Sequence, residues 1–248
     1  QTKDSGDLTL EKTVTLNVVD LKDRPIIRGN SLYTTVDGPS WTQAEANSVK
    51  LGGHLVTINN GTENQWLVEN FKETGLALTP DTVGGRNIFI GLTRADGTVK
   101  KYQNSAGKWD GWISGEDSSY RPDYWGSGEG MDPDGYYSAL VWGEGTWNDF
   151  PEWQHRGVGL AEIPFIRRGD SAYVIVEGPT WEEAEANANA LGGHLVTIND
   201  AEENEWIKTN YSEIASNVWI GFNDKVSEGS WEWSSGEPVT FTRWNSGE

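Results

Sequence analysis

The sequence predicts an α+β fold of short strands and two helices, followed by a loop-rich stretch and a closing strand. It predicts the start of that arrangement twice. A 41-residue block recurs 140 residues further on: residues 31–71 and 171–211 agree at 23 positions without a gap, including the unbroken run LGGHLVTIN. Within each block an alternating apolar pattern gives way to helical spacing and then returns. Helix-start and helix-stop residues stand at matching places in both copies. The repeat sets a module of about 140 residues, long enough to bury a core without crosslinks.

Lys12–Asp20 (KTVTLNVVD) alternates Val14, Leu16 and Val18 with Thr13, Thr15 and Asn17, which is the pattern of a half-buried strand. A single strand cannot fold alone, so it is expected to be the last strand of a module lying upstream. Asp20–Pro25 (DLKDRP) then reads as a linker. Each repeat opens with a strand, at 31–36 and 171–176. A helix follows from Ser40 or Thr180, because Ser40 with Gln43 and Thr180 with Glu183 have capping-box spacing. Trp181, Ala184, Ala188 and Leu191 fall on one face of the second copy's helix. Gly52 and Gly192 stand where a helix C-terminus needs positive φ. His54–Ile58 and His194–Ile198 read as short buried strands. A second helix starts at the boxes Asn60–Glu63 and Asp200–Glu203, with Trp66 and Trp206 facing inward. Ile88–Leu92 (IFIGL) and Val218–Phe222 (VWIGF) are matching apolar strands. Residues 94–150 are loop-rich, and such a stretch inside a compact domain is usually functional or ordered by a ligand such as an ion. Gly157–Pro164 (GVGLAEIP) closes the first copy as an apolar strand.

Composition removes several classes of function. There is no cysteine, so disulfides, thiolate metal sites and cysteine nucleophiles are excluded. A net charge of −19 without a basic run excludes a phosphate-binding surface for nucleic acid. It suits divalent cations instead. No apolar run approaches the roughly 18–20 residues of a membrane span. The chain opens on Gln1 and its one methionine is Met131, so it is expected to be an excerpt from a longer protein.

These elements, in this order, resemble the C-type lectin-like domain. The resemblance rests on W-x-x-A-x-A-x-x-x-x-L-G-G-H-L, then a second helix, then IFIGL or VWIGF. WISGE or WSSGE follows, then WGSGE or WNSGE, then Trp147-Asn148-Asp149 and the closing GLAEIP. It covers about 26–164 in full and 165–248 in part. Three segments are thus expected: 1–25, the end of a cadherin-like or Ig-like β-sandwich module; 26–164, a complete C-type lectin-like domain; and 165–248, a second one cut short. The DLKDRP segment itself resembles a cadherin-type linker, with Lys22 where asparagine is expected; it reads equally as a plain charged linker. The family's cysteines would fall near Ser48, Ser138, Glu152 and Ala161. Cysteine-free forms resemble bacterial rather than animal members.

The resemblance implies a calcium ion held by loop oxygens, with sugar hydroxyls completing its 6–8 ligands. Glu129, Asn148 and Asp149 match the family's ligand positions. The turn departs from the pattern: it reads Glu129-Gly130-Met131, and a thioether is no calcium ligand. Tyr136 stands where a later glutamate is expected. Asp132 and Asp134 are the candidate substitutes, with Glu144 weaker. Asp-Pro-Asp-Gly is equally a plain turn sequence. Trp125 and Trp142 are candidate stacking surfaces for a sugar, or packing residues. His54 and His194 read as packing residues, and His155 has no partner histidine at metal spacing. Glu116 and Asp117 do not form an isolated acid pair, so catalysis is not expected.

The expected function is calcium-assisted binding of surface carbohydrate, or adhesion, by part of a large extracellular protein. The alternative is a structural module of a surface layer, sheath or filament that binds neighbouring protein copies.

Overall fold

The structure, a computed structural model, describes residues 24–71, 87–93, 111–120, 137–141, 145–150, 157–214 and 217–245. The elements in the first repeat are β1 (Ile26–Arg28), β2 (Ser31–Asp37), α1 (Trp41–Lys50), β3 (His54–Leu55), α2 (Gly61–Phe71), β4 (Asn87–Phe89), β5 (Leu92–Thr93), β6 (Gly111–Trp112), β7 (Tyr137–Val141), β8 (Trp147–Phe150) and β9 (Gly157–Pro164). The second contains β10 (Ile166–Arg168), β11 (Ser171–Tyr173), α3 (Trp181–Ala190), α4 (Ala201–Tyr211), β12 (Phe222–Asn223) and β13 (Glu232–Trp233). This is an α+β fold. The strand expected at Lys12–Asp20 lies outside the described residues.

The helix signals read from sequence are met by specific bonds. Ser40 is extended (φ −131°, ψ 161°) and its hydroxyl accepts from the Gln43 N–H. Thr180 caps α3 in the same way, accepting from Glu183 N–H. Asn60 and Asp200 accept from the Glu63 and Glu203 amides, starting α2 and α4. The return bond goes one residue further back than a capping box requires: Glu63 and Glu203 accept from the amides of Asn59 and Asn199. At the far end of α1, Gly52 takes φ +88°. Gly52 N–H donates to Val49 C=O and Gly53 N–H to Ser48 C=O, the paired bonds of a Schellman turn.

Strand order in the main sheet is β1-β2-β9-β4-β7-β8, with β3 also on β9. β9 is antiparallel to β2 over seven pairs, from Ser31↔Pro164 to Asp37↔Val158. On its other edge it runs antiparallel to β3 and parallel to β4. Its side chains serve both halves of the core. Val158 and Leu160 join Ile58, Ile90, Leu92 and Trp147. Ala161 and Ile163 join Trp41, Ala44, Leu51 and Leu55.

Five expected strands differ, the one at 171–176 pairing only over Ser171–Tyr173. Ladder pairing over His54–Ile58 stops at Leu55, although Val56–Ile58 are fully buried. IFIGL splits into β4 and β5 because Gly91 turns aside to donate to Val56 C=O. A Cβ at Gly91 would collide with the Leu55 carbonyl oxygen. In the second repeat, 194–198 forms no strand, and of VWIGF only Phe222 enters one. Trp219 is 52% exposed there. The cause is a missing partner: no strand among the described residues stands against the second repeat as β9 does against the first, and strand backbone needs its ladder.

The matching of α1 to β9 yields a test. A Cβ on Gly159 would lie 2.7 Å from Ala44 Cβ, so these two residues abut. One helical turn on from Ala44 is Ser48, and two strand residues on from Gly159 is Ala161, each a step of about 6 Å. Both are fully buried. Ser48→Cys with Ala161→Cys is expected to form a disulfide under oxidising conditions. It should stabilise folding by about 2–4 kcal/mol. Thermal unfolding with and without reductant checks this, and a free-thiol assay reports closure.

Candidate functional site

The frame of the expected site is β8, which is antiparallel to β7 with Leu140 opposite Asn148 and Ala139 opposite Asp149. Its first residue is fixed from below. Trp147 is fully buried. Its indole N–H donates to Asn64 Oδ1 at 2.9 Å, while Asn64 Nδ2 donates to Gly145 C=O at 2.9 Å. The rings of Trp112 and Tyr120 meet Trp147 edge-on, each at 5.9 Å. One asparagine on α2 thus ties the chain on both sides of Thr146. Asn148 and Asp149 follow directly from this anchor.

Of the predicted ligands, Asn148 and Asp149 are brought together on β8, described there by backbone alone. Glu129, Asp132, Asp134, Trp125 and Trp142 lie outside the described residues, as do Met131, Tyr136, Glu144 and His155. Among the described residues no cluster of three or more His, Asp or Glu is arranged to hold a metal. Glu116 and Asp117 lie exposed beyond β6, where Glu116 accepts from Asn59 Nδ2 at 3.4 Å.

A buried polar network lies on the β1-β2-β9 side of the sheet, away from β8. Glu63 accepts from Arg28 at 3.1 Å and faces the Tyr33 hydroxyl at 3.3 Å. That hydroxyl is closer to Glu162, at 2.7 Å, and its single hydrogen serves one acceptor at a time. Burial raises the Tyr33 pKa far above its ordinary value, and Glu162 adds to the rise. Burial also raises the Glu162 carboxyl, with Glu116 and Glu63 contributing, against hydrogen bonds from Tyr33 and Ser31. Both groups therefore stay in the hydrogen-bonding role of core residues.

The histidines of the LGGHL run are ordered by glutamates nine residues earlier. His54 Nδ1 lies 2.7 Å from Glu45 Oε1, and Leu55 N–H donates to Glu45 Oε2. His194, Glu185 and Leu195 repeat this, with Ser234 also donating to Glu185. These are structural clamps joining each helix to the segment after it.

The second repeat holds an aromatic group that sequence reasoning did not single out. Phe222 stacks on Trp231 at 5.2 Å and meets Trp233 at 4.6 Å, while Trp231 and Trp244 cross at 4.7 Å. Trp231 and Trp244 are 41% and 48% exposed. Trp233 is buried, and its indole N–H has no partner among the described residues. Its counterpart Trp112 donates to Ser118 C=O. The spacing Trp231-x-Trp233 across a strand was the available signal, since alternate residues share a face.

Two tests follow. Asn64→Ala strands the Trp147 indole N–H and the Gly145 carbonyl inside the core, and is expected to cost about 2–4 kcal/mol in denaturant unfolding. Asn204→Ala, at the matching position, should cost less, because no counterpart of Trp147 bonds to it among the described residues. The hydrogen bond to Glu45 outweighs burial and raises the His54 pKa. A raised histidine stabilises the fold most below about pH 6.5, and that contribution is lost as pH rises through the folded-state pKa. An NMR titration of the imidazole should show the raised value, and Glu45→Gln should remove the rise.

Comparison with known proteins adds family relationships. The family model of the lectin C-type domain matches residues 177–248. Among sequence relatives, the type-2 ice-structuring protein of Hemitripterus americanus is 42% identical over 65 residues, 26% of this chain and 38% of that protein. The alpha-N-acetylgalactosamine-specific lectin of Patiria pectinifera is 37% identical over 75 residues, 27% of this chain and 45% of that protein. The chain spans less than half the length of these relatives. Among solved structures, human lithostathine aligns at TM-score 0.43 and 21% identity, over 56% of this chain and 96% of that one. The cow C-type carbohydrate-recognition domain of CD23 aligns at TM-score 0.41 and 19% identity, over 61% and 100%. The described residues form an α+β fold, and residues 177–248 match the lectin C-type domain family.

Proposed function

We propose that this chain is an extracellular carbohydrate-binding segment built from two C-type lectin-like domains, residues 26–164 and 165–248, after the end of a β-sandwich module at 1–25. The observation that carries the reading is the lectin C-type match over residues 177–248. A relative named as an alpha-N-acetylgalactosamine-specific lectin supports a sugar as ligand. In the first repeat the ion would be held by Glu129, Asp132, Asp134, Asn148 and Asp149, all oxygen donors suited to calcium. Bound calcium would supply open coordination positions for sugar hydroxyls. The chain's own contribution is to hold Asn148 and Asp149 on a strand anchored through Trp147 and Asn64. Trp125 and Trp142, and Trp231 with Trp244 in the second repeat, offer ring faces for a sugar.

A second reading is favoured by one contact. The two repeats touch through backbone, Glu177 N–H donating to Lys50 C=O at 2.9 Å, which suits modules that stack as a scaffold. Relatives named as ice-structuring proteins show that similar chains carry names unconnected with sugar.

Calcium titration by calorimetry, followed by a glycan array with and without chelator, tests the leading reading. Calcium should bind and raise the thermal midpoint, and glycan binding should vanish on chelation. Asp149→Ala should weaken calcium at least about tenfold, equivalent to about 1.4 kcal/mol. A chain that neither binds calcium nor retains any glycan would leave the scaffold reading in its place.

A further inference from the structure

The contact between the two repeats has two matching faces, and each repeat carries both. One face is the C-terminal turn of the first helix. In the first repeat this is Lys50–Gly52, whose Lys50 carbonyl is one of the orphan acceptors left at a helix end. The other face is the backbone edge that follows the opening hairpin. In the second repeat this is Ile175–Glu177, whose Glu177 N–H donates to that carbonyl at 2.9 Å. The fit is close. Gly52 holds φ +88°, and a Cβ there would collide with the Ile175 carbonyl oxygen and lie 3.0 Å from Val174 Cγ1. Val174 also packs on the first repeat's core.

Strand register shows that this edge differs from the one that takes a closing strand. In an antiparallel ladder, alternate residues direct their N–H and C=O to the same side. Phe165 N–H donates to Asn30 C=O, which places even-numbered residues of β2 toward β9. Ser31 and Tyr33, and with them Thr35 and Asp37, face the β1 side. By the repeat, Ile175 and Glu177 lie on the β10 side. The seating of one repeat on the other therefore leaves the β9-type edge untouched.

Both faces recur, and among the described residues their counterparts have no such partner. Gly192, equivalent to Gly52, has φ +79° and nothing within 4 Å of a built Cβ. No described residue outside α3 bonds to the carbonyl of Ala190, the equivalent of Lys50. At the other end Thr35–Asp37 presents the equivalent edge, with Asp37 exposed. Asn47 holds the Asp37 carbonyl as Asn187 holds that of Glu177, although Thr35–Asp37 is strand and 175–177 is not.

We propose that a second copy of this chain docks its Thr35–Asp37 edge onto the open Ala190–Gly192 turn, continuing head to tail the contact already made inside one chain. The partner is fixed by continuity with that internal interface. Such a contact is heterologous, so each copy offers both ends and association continues into rows or rings. Thr35 replaces Ile175, and Thr34, buried in its own repeat, stands where Val174 does, which makes the contact between chains less apolar than the one within. The charge of −19 opposes it at low ionic strength.

Sedimentation velocity on the full chain tests this. The wild type should pass from monomer through dimer to longer species as concentration and salt rise. Gly192→Asn suits positive φ and fills the turn, and Asp37→Pro removes the edge N–H; each variant alone should stay monomeric. Mixed together they should form dimers and nothing larger, because each retains one working end. Amide exchange at Asp37, which needs no substitution, should slow with concentration in the wild type. Wild type that stays monomeric throughout, variants that associate like wild type, or a mixture that stays monomeric would each overturn the proposal.

Discussion

β9 is the strand on which the first repeat depends. It carries ladder bonds on both edges and side chains in both core clusters, so the opening hairpin, the first helix and the β4-β7-β8 sheet are all joined through eight residues. Two glycines show how tight this is. A Cβ at Gly53 would collide with the Glu162 carbonyl oxygen, and one at Gly159 would press on Ala44, Leu55 and Val36 at 2.7–2.8 Å. A long side chain at either position would separate the helix from the sheet.

The second repeat shows which structure survives without such a strand. The capped helices, the Schellman turn and the Glu185–His194 clamp persist with distances close to those of the first repeat. These features close within ten residues of sequence. What is lost is the pairing at 194–198 and 218–221, together with much of the burial around it. Tyr173 illustrates the change. In the first repeat Tyr33 donates to Glu162 on β9; in the second the equivalent hydroxyl turns to Glu203, 2.7 Å away on α4, beside Arg168. Local code and long-range pairing thus separate within one chain.

The same division explains what could be read beforehand. Ser40, Thr180, Asn60 and Asp200 announce helix starts because a side chain meets an amide three residues on. Gly52 and Gly192 announce stops because the αL conformation favours glycine. The break at Gly91 was not legible, since it arises from the approach of Leu55, 36 residues away in sequence. Trp147 was visible as part of a motif, yet its bond to Asn64, 83 residues earlier, was not. The candidate ligands stand in the segment where the repeats diverge, so the repeat offers no second version of the loop against which to align Asp132 and Asp134.

The two functional ideas use different parts of the fold and need not compete. Of the expected ligands of the first repeat, Asn148 and Asp149 lie on β8, beyond β4 and β7 in the sheet order. The head-to-tail contact uses the far side, at the end of β2 beyond its pairing with β1 and at the C-terminal turn of the first helix. A module built this way can join its neighbours along one edge of its sheet while the opposite edge meets a ligand. In a row of such modules each ligand site would recur once per repeat. Weak single-site binding would then gain from multivalency, because the rigid contact between repeats sets the distance from one site to the next.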